Sequence, residues 1–341
     1  MDTIARIIFT SAPEFAQLSW NEIQKLDQSA KLLQWLDAGV GFVQLEAETF
    51  QSLSLRIKEA KTVFIRHIFP VLDEISLDDP ARLDRFIDQH LDLLNSAQAV
   101  SIQTRFVNAV DSSVKTALRQ RISERLIEVG FAVEVKDPTQ IVSIVCAANL
   151  IYIGISSAEQ NLSSWAGGMH RFANESDRIS RSEFKLLEAI DVFNLTFPDS
   201  GLALDLGASP GGWTRILRKF GLSVIAVDPG DLSEKLISDR GVVHRCQTVQ
   251  QFLPTRDRFD VIVNDMRMNA IESAKNMRLA SETLSENGLA VMTLKLPNQG
   301  VQRTITSAIA VLESVYEIIG IRNLFHNRQE ATIALRLRKS S

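Results

Sequence analysis

The sequence predicts an α/β protein in which small α+β units precede a doubly wound, Rossmann-like sheet. Three observations predict it. The chain has 341 residues, enough for two or three domains at about 150 residues each. From Glu183 onward, short β-rich runs alternate with helical stretches, the signature of a parallel sheet covered on both faces. A glycine-rich turn, Gly207 to Gly212, joins one of those runs to a helix.

Composition narrows the class further. A hydrophobic fraction of 45% and a charged fraction of 23% exclude fibrous and largely disordered chains. The longest apolar stretch, Ile141 to Ile155, is broken by Ser143 and Asn149 and falls short of the roughly 18 residues of a spanning helix. No export signal opens the chain, and no membrane association is expected. With only Cys146 and Cys246, neither a disulfide framework nor a Cys-rich zinc site can form, so a reducing cytoplasm and no metal are expected. The 37 basic and 41 acidic residues give a net charge of -4, which on its face speaks against nucleic acid. Residues 1–100 hold 9 Lys/Arg against 15 Asp/Glu, whereas residues 181–341 hold 20 against 18. The acidity belongs to the first segment, and local cation placement is what bears on RNA.

The elements follow in order. Ile4–Thr10 reads as a strand, with Ser11 as the cap of a helix that has Pro13 and Glu14 in its first turn. Gly41–Glu46 alternates like a strand, and a helix is expected over Ser52–Ala60, before the apolar run Val63–Val71. Asp78-Asp79-Pro80 marks a domain boundary. A second α+β unit follows, with helices over Ala81–Leu94 and Ser113–Val129 and strands at Val100–Val107, Ala132–Val135, Ile141–Cys146 and Leu150–Ile155. Its second helix carries Lys115, Arg119, Arg121 and Arg125 opposite Val114, Leu118, Ile122 and Leu126. From spacing alone those cations read as a solvated face. Ser156–Ser182 is polar and reads as an ordered linker around Trp165-Ala-Gly-Gly168. The last unit has a helix at Phe184–Val192 and strands at Leu202–Leu206, Ser223–Val227, Phe259–Asn264, Ala290–Leu296 and Ala331–Leu337.

The turn Asp205-Leu-Gly-Ala-Ser-Pro-Gly-Gly-Trp213 admits three readings. Dinucleotide binding wants G-x-G-x-x-G, and Ser209 stands at the middle glycine that lets the backbone meet a pyrophosphate. A hydrolase nucleophile elbow, G-x-S-x-G, takes an oxyanion-hole N–H from the residue after the serine. Here that residue is Pro210, which has none. The third reading is S-adenosylmethionine. Asp205 and the glycine loop would hold its amino-acid end, and Asp228, 23 residues on at the end of the next strand, would take both ribose hydroxyls. Two acidic strand ends suit a ligand that carries no phosphate.

Four polar residues recur at element ends: Lys185 at the opening of a helix, Asp265 and Lys295 at the ends of strands, and Glu330 beside the last strand. In a doubly wound sheet these positions gather on one edge, next to the glycine turn. A lysine buried near a second lysine loses affinity for its proton and can serve as a base.

These residues resemble the FtsJ/RrmJ-like ribose 2′-O-methyltransferases. The turn from Asp205 to Trp213 is similar to that family's cofactor loop, and Lys185, Asp265, Lys295 and Glu330 match its Lys-Asp-Lys-Glu tetrad in chain order. Tyr152-Ile-Gly154, Asn161-Leu-Ser-Ser-Trp-Ala-Gly-Gly168 and Leu324-Phe-His-Asn-Arg-Gln-Glu330 add a likeness to members that methylate a cytidine of 23S rRNA. The resemblance implies a ferredoxin-like domain over residues 1–79, a THUMP-like RNA-binding domain over 80–160, a linker over 161–180 and a Rossmann-fold methyltransferase domain over 181–341. It further implies Asp205, Gly207, Ala208, Pro210, Gly211, Gly212, Trp213, Asp228 and Asp265 as cofactor contacts. No acidic residue stands near Cys246-Gln-Thr248 to hold the adenine amino group, which leaves Gln247 or Thr248 for it.

Lys295 is expected as the general base with its pKa depressed by Lys185, Asp265 as its orienter, and Glu330 as the partner of a lysine. Arg119, Arg121, Arg125, His170, Arg171 and Arg178 are expected on RNA phosphates. Asn264-Asp-Met-Arg-Met268 lacks the Pro-Pro of THUMP-containing guanine N2-methyltransferases, and Arg267-Met268-Asn269 stands where simpler members have a proline. The alternatives are a non-catalytic RNA-binding assembly factor and a methyltransferase for another structured RNA such as tRNA. The chain is taken as a monomer.

Overall fold

Residues 1–170 and 171–341 form two units in the computed structural model, which describes residues 5–107, 112–173 and 175–338. Ile4, at the start of the first expected strand, lies outside the described residues.

The first unit holds two four-stranded sheets. Strands β1 (Arg6–Thr10), β2 (Lys31–Asp37), β3 (Val40–Gln44) and β4 (His67–Pro70), with helices α1 (Ala16–Leu26) after β1 and α2 (Phe50–Glu59) after β3, form an antiparallel sheet in the order β2-β3-β1-β4. That βαββαβ plan is the ferredoxin-like one. Its centre is β1, where Ile7 and Phe9 pack with Trp20, Ile23, Leu53 and Ile57 of the helices. Ile8, on the opposite face, meets Val145 and Tyr152 of the second sheet. Ser11 does not cap a helix as expected: a 3-10 turn at Pro13–Phe15 intervenes, and the Ser11 hydroxyl donates to the Ala12 carbonyl.

The second sheet comprises β5 (Asp73–Ser76), β6 (Val100–Val107), β7 (Gln140–Ala147) and β8 (Leu150–Ser157) in the order β5-β8-β7-β6, with only β6 and β7 parallel. Because β5 pairs with β8, the second sheet begins before the boundary expected at residue 79. Helices α3 (Pro80–Gln89) and α4 (Ser112–Glu128) cover it, with Leu83, Phe86, Leu118, Ile122 and Leu126 in one core. The strand expected at Ala132–Val135 reduces to a single bridge from Val133 to Val100.

The first half of the expected linker is built into this unit. Asn161 is fully buried between Ser156 and Ser143, and Gly167 accepts a hydrogen bond from the Thr10 hydroxyl at 2.8 Å.

The second unit runs α5 (Glu183–Val192), β9 (Leu202–Leu206), α6 (Gly212–Lys219), β10 (Ser223–Val227), α7 (Glu234–Ile237), β11 (Val242–Arg245), α8 (Val249–Phe252), β12 (Phe259–Asn264), α9 (Ala270–Ala280), β13 (Leu284–Lys295), α10 (Val301–Leu312), β14 (Tyr316–Arg322) and β15 (Glu330–Leu337). The sheet order is β11-β10-β9-β12-β13-β15-β14. Five strands are parallel, the four expected ones and β11, which was not expected, and β15 is antiparallel to both its neighbours. The order reverses between β9 and β12, which opens a crevice at their carboxyl ends. Buried aliphatic residues on both faces of β9, β10 and β12 explain why these strands sit at the centre.

Candidate active site

At that crevice a cavity of about 1170 Å³ gathers residues from the glycine turn, the ends of β10, β12 and β13, the start of α5 and the loop before β15. The turn is shaped by packing. Gly207 has φ +76°, and a side chain there would collide with Met266; its N–H donates to Val227, tying β9 to β10. Gly211, at φ +111°, leaves room for Leu236, and Gly212 leaves room for the hydroxyls of Ser180 and Ser182. Gly207, Ala208, Pro210 and Trp213 line the cavity, but Gly211 and Gly212 do not. Those two glycines are in place to start α6 against its neighbours. The Trp213 indole N–H donates to the Ser182 carbonyl, which fixes the segment leading into α5.

Two carboxylates line the cavity beside the glycine turn. Asp205 is 1% exposed and accepts from the Thr214 hydroxyl at 2.6 Å. Burial pushes its pKa up to about 7, against the Thr214 bond and with help from the negative charges of Asp265 and Asp228. Asp228 accepts from the N–H groups of Gly230 at 2.7 Å and Ser209 at 3.2 Å, so it also holds the turn together. Ser209 spends its hydroxyl on the Asp231 carbonyl at 2.8 Å, and no histidine is bonded to it. The hydrolase arrangement is absent among the described residues. Gln247 and Thr248 both line the cavity, and Thr248 caps α8 through Gln251.

The four residues expected to converge do so. Lys185 Nζ lies 3.2 Å from Asp265 Oδ2 and 2.6 Å from Glu330 Oε2. Lys295 Nζ lies 2.9 Å from Asp265 Oδ1 and 2.8 Å from Glu330 Oε1. Each carboxylate bridges both lysines, and the cluster of two cations and two anions is neutral. Lys295 is the most exposed member, at 23% of its side chain against 13% to 14% for the others. Burial alone would pull its pKa down, but Asp265 and Glu330 outweigh that and raise it. The expectation that Lys185 depresses Lys295 is therefore corrected: the nearer carboxylates decide the sign. Asp265 shows the converse, since burial would raise it and the two lysines with Thr293 bring it down.

Several residues that support the tetrad were not expected from the sequence. Thr293, two residues before Lys295 and so on the same face of β13, donates to Asp265 at 2.7 Å and accepts from Lys295 at 3.2 Å. Strand alternation could have flagged it. Glu188, one helical turn beyond Lys185, is 1% exposed and accepts from Phe325 N at 2.6 Å, His326 N at 2.9 Å and His326 Nδ1 at 2.7 Å. It clamps the loop that leads to Glu330. Arg215, 8% exposed, bonds Glu183, Glu175 and Asp177 at 2.5 to 2.6 Å and holds the segment before α5.

The expected phosphate grip is only partly available. Arg121 pairs with Asp84 and Arg125 with Asp88, each at 2.6 Å, and His170 is 3% exposed. Arg119 and Arg171 are exposed, and Arg178 lies over the Phe184 ring at 5.0 Å.

Residues 178–315 match the family model described as FtsJ-like methyltransferase. Ribosomal RNA large subunit methyltransferase M of Shewanella pealeana is 28% identical over 325 residues, which cover 89% of each chain. Its namesake in Psychromonas ingrahamii is 34% identical over 202 residues, or 54% of each chain. The glycine turn, the acidic strand ends and the family match agree: this chain carries an FtsJ-like methyltransferase domain, and S-adenosylmethionine is its cofactor.

Proposed function

We propose that the enzyme methylates a ribose 2′-OH, of a cytidine, in the 23S RNA of the large ribosomal subunit. One observation carries the reading: two lysines and two carboxylates interlock on the wall of the cavity that Asp205, Asp228 and the glycine turn also line. The names of the curated relatives support large-subunit rRNA as substrate.

A buried carboxylate at Asp205 and a second at Asp228 fit an ammonium and a pair of ribose hydroxyls, which a pyrophosphate would not. When bound, S-adenosylmethionine supplies a methyl group on a sulfonium, open to in-line attack. The residues of the chain then have to hold the hydroxyl in line and receive its proton. Lys295, the most exposed of the four, is the proton acceptor in its unprotonated form. Lys185 and Asp265 fix its direction, and Glu330 ties it to Lys185. Holding the reactants in line supplies most of the acceleration, and the base adds about 10²- to 10⁴-fold.

The unit expected over 80–160 serves as a THUMP-like RNA-binding module after the ferredoxin-like one, with Arg119 exposed on α4. Such a substrate places the enzyme in the cytoplasm; no helix among the described residues is long and apolar enough to cross a membrane. The test incubates the protein with labelled cofactor and 23S rRNA that lacks the modification. Lys295→Ala should lower transfer by about 10²- to 10⁴-fold while cofactor affinity stays within about twofold. Undiminished transfer would remove Lys295 from the base role.

A further inference from the structure

Three arginines border the tetrad and belong to none of the contacts above. Arg181 stands four residues before Lys185, Arg267 two after Asp265, and Arg328 two before Glu330. They arrive on three separate chain segments: the approach to α5, the loop after β12 and the loop before β15. All three are exposed, and all three line the same cavity as the tetrad. Among the described residues no carboxylate lies within ion-pair distance of any of them, in contrast to Arg215 and Arg218 of the same unit.

The other charges of the cavity lie in the tetrad and in two carboxylates beside the glycine turn. The tetrad neutralises itself, and Asp205 and Asp228 are the two carboxylates. Three guanidinium groups remain without a counter-charge, around the point where a nucleotide must enter. A guanidinium presents a planar fork that matches the oxygens of a phosphate in bidentate fashion. The scaffold also holds two of the three segments firmly. Arg215 and Glu183 anchor the approach to α5, with Glu183 accepting from Ile179 N at 2.7 Å, and Glu188 anchors the loop before β15.

We infer that Arg181, Arg267 and Arg328 form a phosphate clamp. It grips the RNA backbone on either side of the target nucleotide and delivers the ribose to Lys295. This rests on the RNA reading above. It moves the positioning contacts from the paired arginines of α4 to the rim of the catalytic cavity itself.

The test measures RNA affinity of the full chain against salt concentration for Arg181→Gln, Arg267→Gln and Arg328→Gln. Arg303→Gln serves as control, since Arg303 is exposed on α10 and does not line the cavity. Each rim variant should lower the slope of log affinity on log salt by about 0.7 for single-stranded RNA. Each should also raise KM by about 3- to 10-fold with kcat within about twofold. Replacement by lysine should keep the slope, and calorimetric cofactor affinity should not change. Slopes equal to wild type, a fall as large in Arg303→Gln, or a parallel loss of cofactor affinity would each overturn the clamp. Normal slopes with intact ribose methylation would sink the clamp and spare the proposed function. Reduced slopes with methyl label on a base would do the reverse.

Discussion

Replacing Glu188 by alanine should damage both stability and activity, by an amount the contacts set. The side chain is buried and accepts from two backbone N–H groups, of Phe325 and His326, and from the His326 ring. Its removal takes the Glu188 acceptor from two part-buried backbone N–H groups, each loss costing about 1–3 kcal/mol. The middle of the summed range is about 4 kcal/mol, and a unit of this size shifts its melting midpoint by about 2–4 °C per kcal/mol, so a fall of about 8–16 °C is expected. Activity should fall as well, because the freed loop carries Arg328 and leads to Glu330. A misplacement of about 1 Å at a site of this kind costs about 100-fold. Glu188→Gln preserves shape but turns one acceptor into a donor facing a donor, and should lose at least half as much stability. The assays are thermal unfolding by circular dichroism and steady-state methyl transfer. A Glu188→Ala variant that melts within about 2 °C of wild type and keeps kcat within about twofold would refute the reasoning.

Other outcomes follow from the site. Because Asp265 and Glu330 raise the pKa of Lys295, its unprotonated form is scarce at neutral pH and grows as pH rises. The rate should climb about tenfold per pH unit through the neutral range, and a plateau below pH 8 in the pH profile would contradict the base assignment. Burial holds the pKa of Asp205 at about 7, and the ammonium contact proposed for it needs the ionised form. Cofactor affinity should therefore rise about eightfold from pH 6 to 7.5 by isothermal titration, and Asp205→Asn should abolish that rise. Ser209 should resist fluorophosphonate labelling followed by mass spectrometry, since its hydroxyl is committed to a carbonyl and Pro210 supplies no donor; covalent label there would reopen the hydrolase reading.

The parts legible in the sequence are those whose signal is local. Leu202–Leu206, Ser223–Val227 and Phe259–Asn264 are continuous apolar runs because both their faces are covered, and they occupy the residues expected of them. Lys31–Asp37 escaped because it is an edge strand, mostly exposed and interrupted by two irregularities in its pairing with β3. Tyr316–Arg322 escaped because Gly320 interrupts it, and that glycine is there to let Phe193 approach. The tetrad was legible because three of its members end or border strands of one sheet. Glu188 and His326 were not, because they meet across 138 residues with no shared motif. The sign of the Lys295 shift was out of reach for a similar reason. Chain order identifies the charged neighbours, but only distance decides which of them prevails. Arg121 and Arg125 had the right spacing for a basic face, and Asp84 and Asp88 of the preceding helix claimed them first.

The proposed destination of the methyl group is a ribose oxygen in large-subunit RNA. The direct measurement digests 23S rRNA, methylated by the purified enzyme with labelled cofactor, to nucleosides and resolves them by liquid chromatography and mass spectrometry. One labelled species is expected, 2′-O-methylcytidine, with the label retained on the sugar fragment after glycosidic cleavage. Label on the base fragment, or no label in RNA at all while the cofactor still binds, would contradict it.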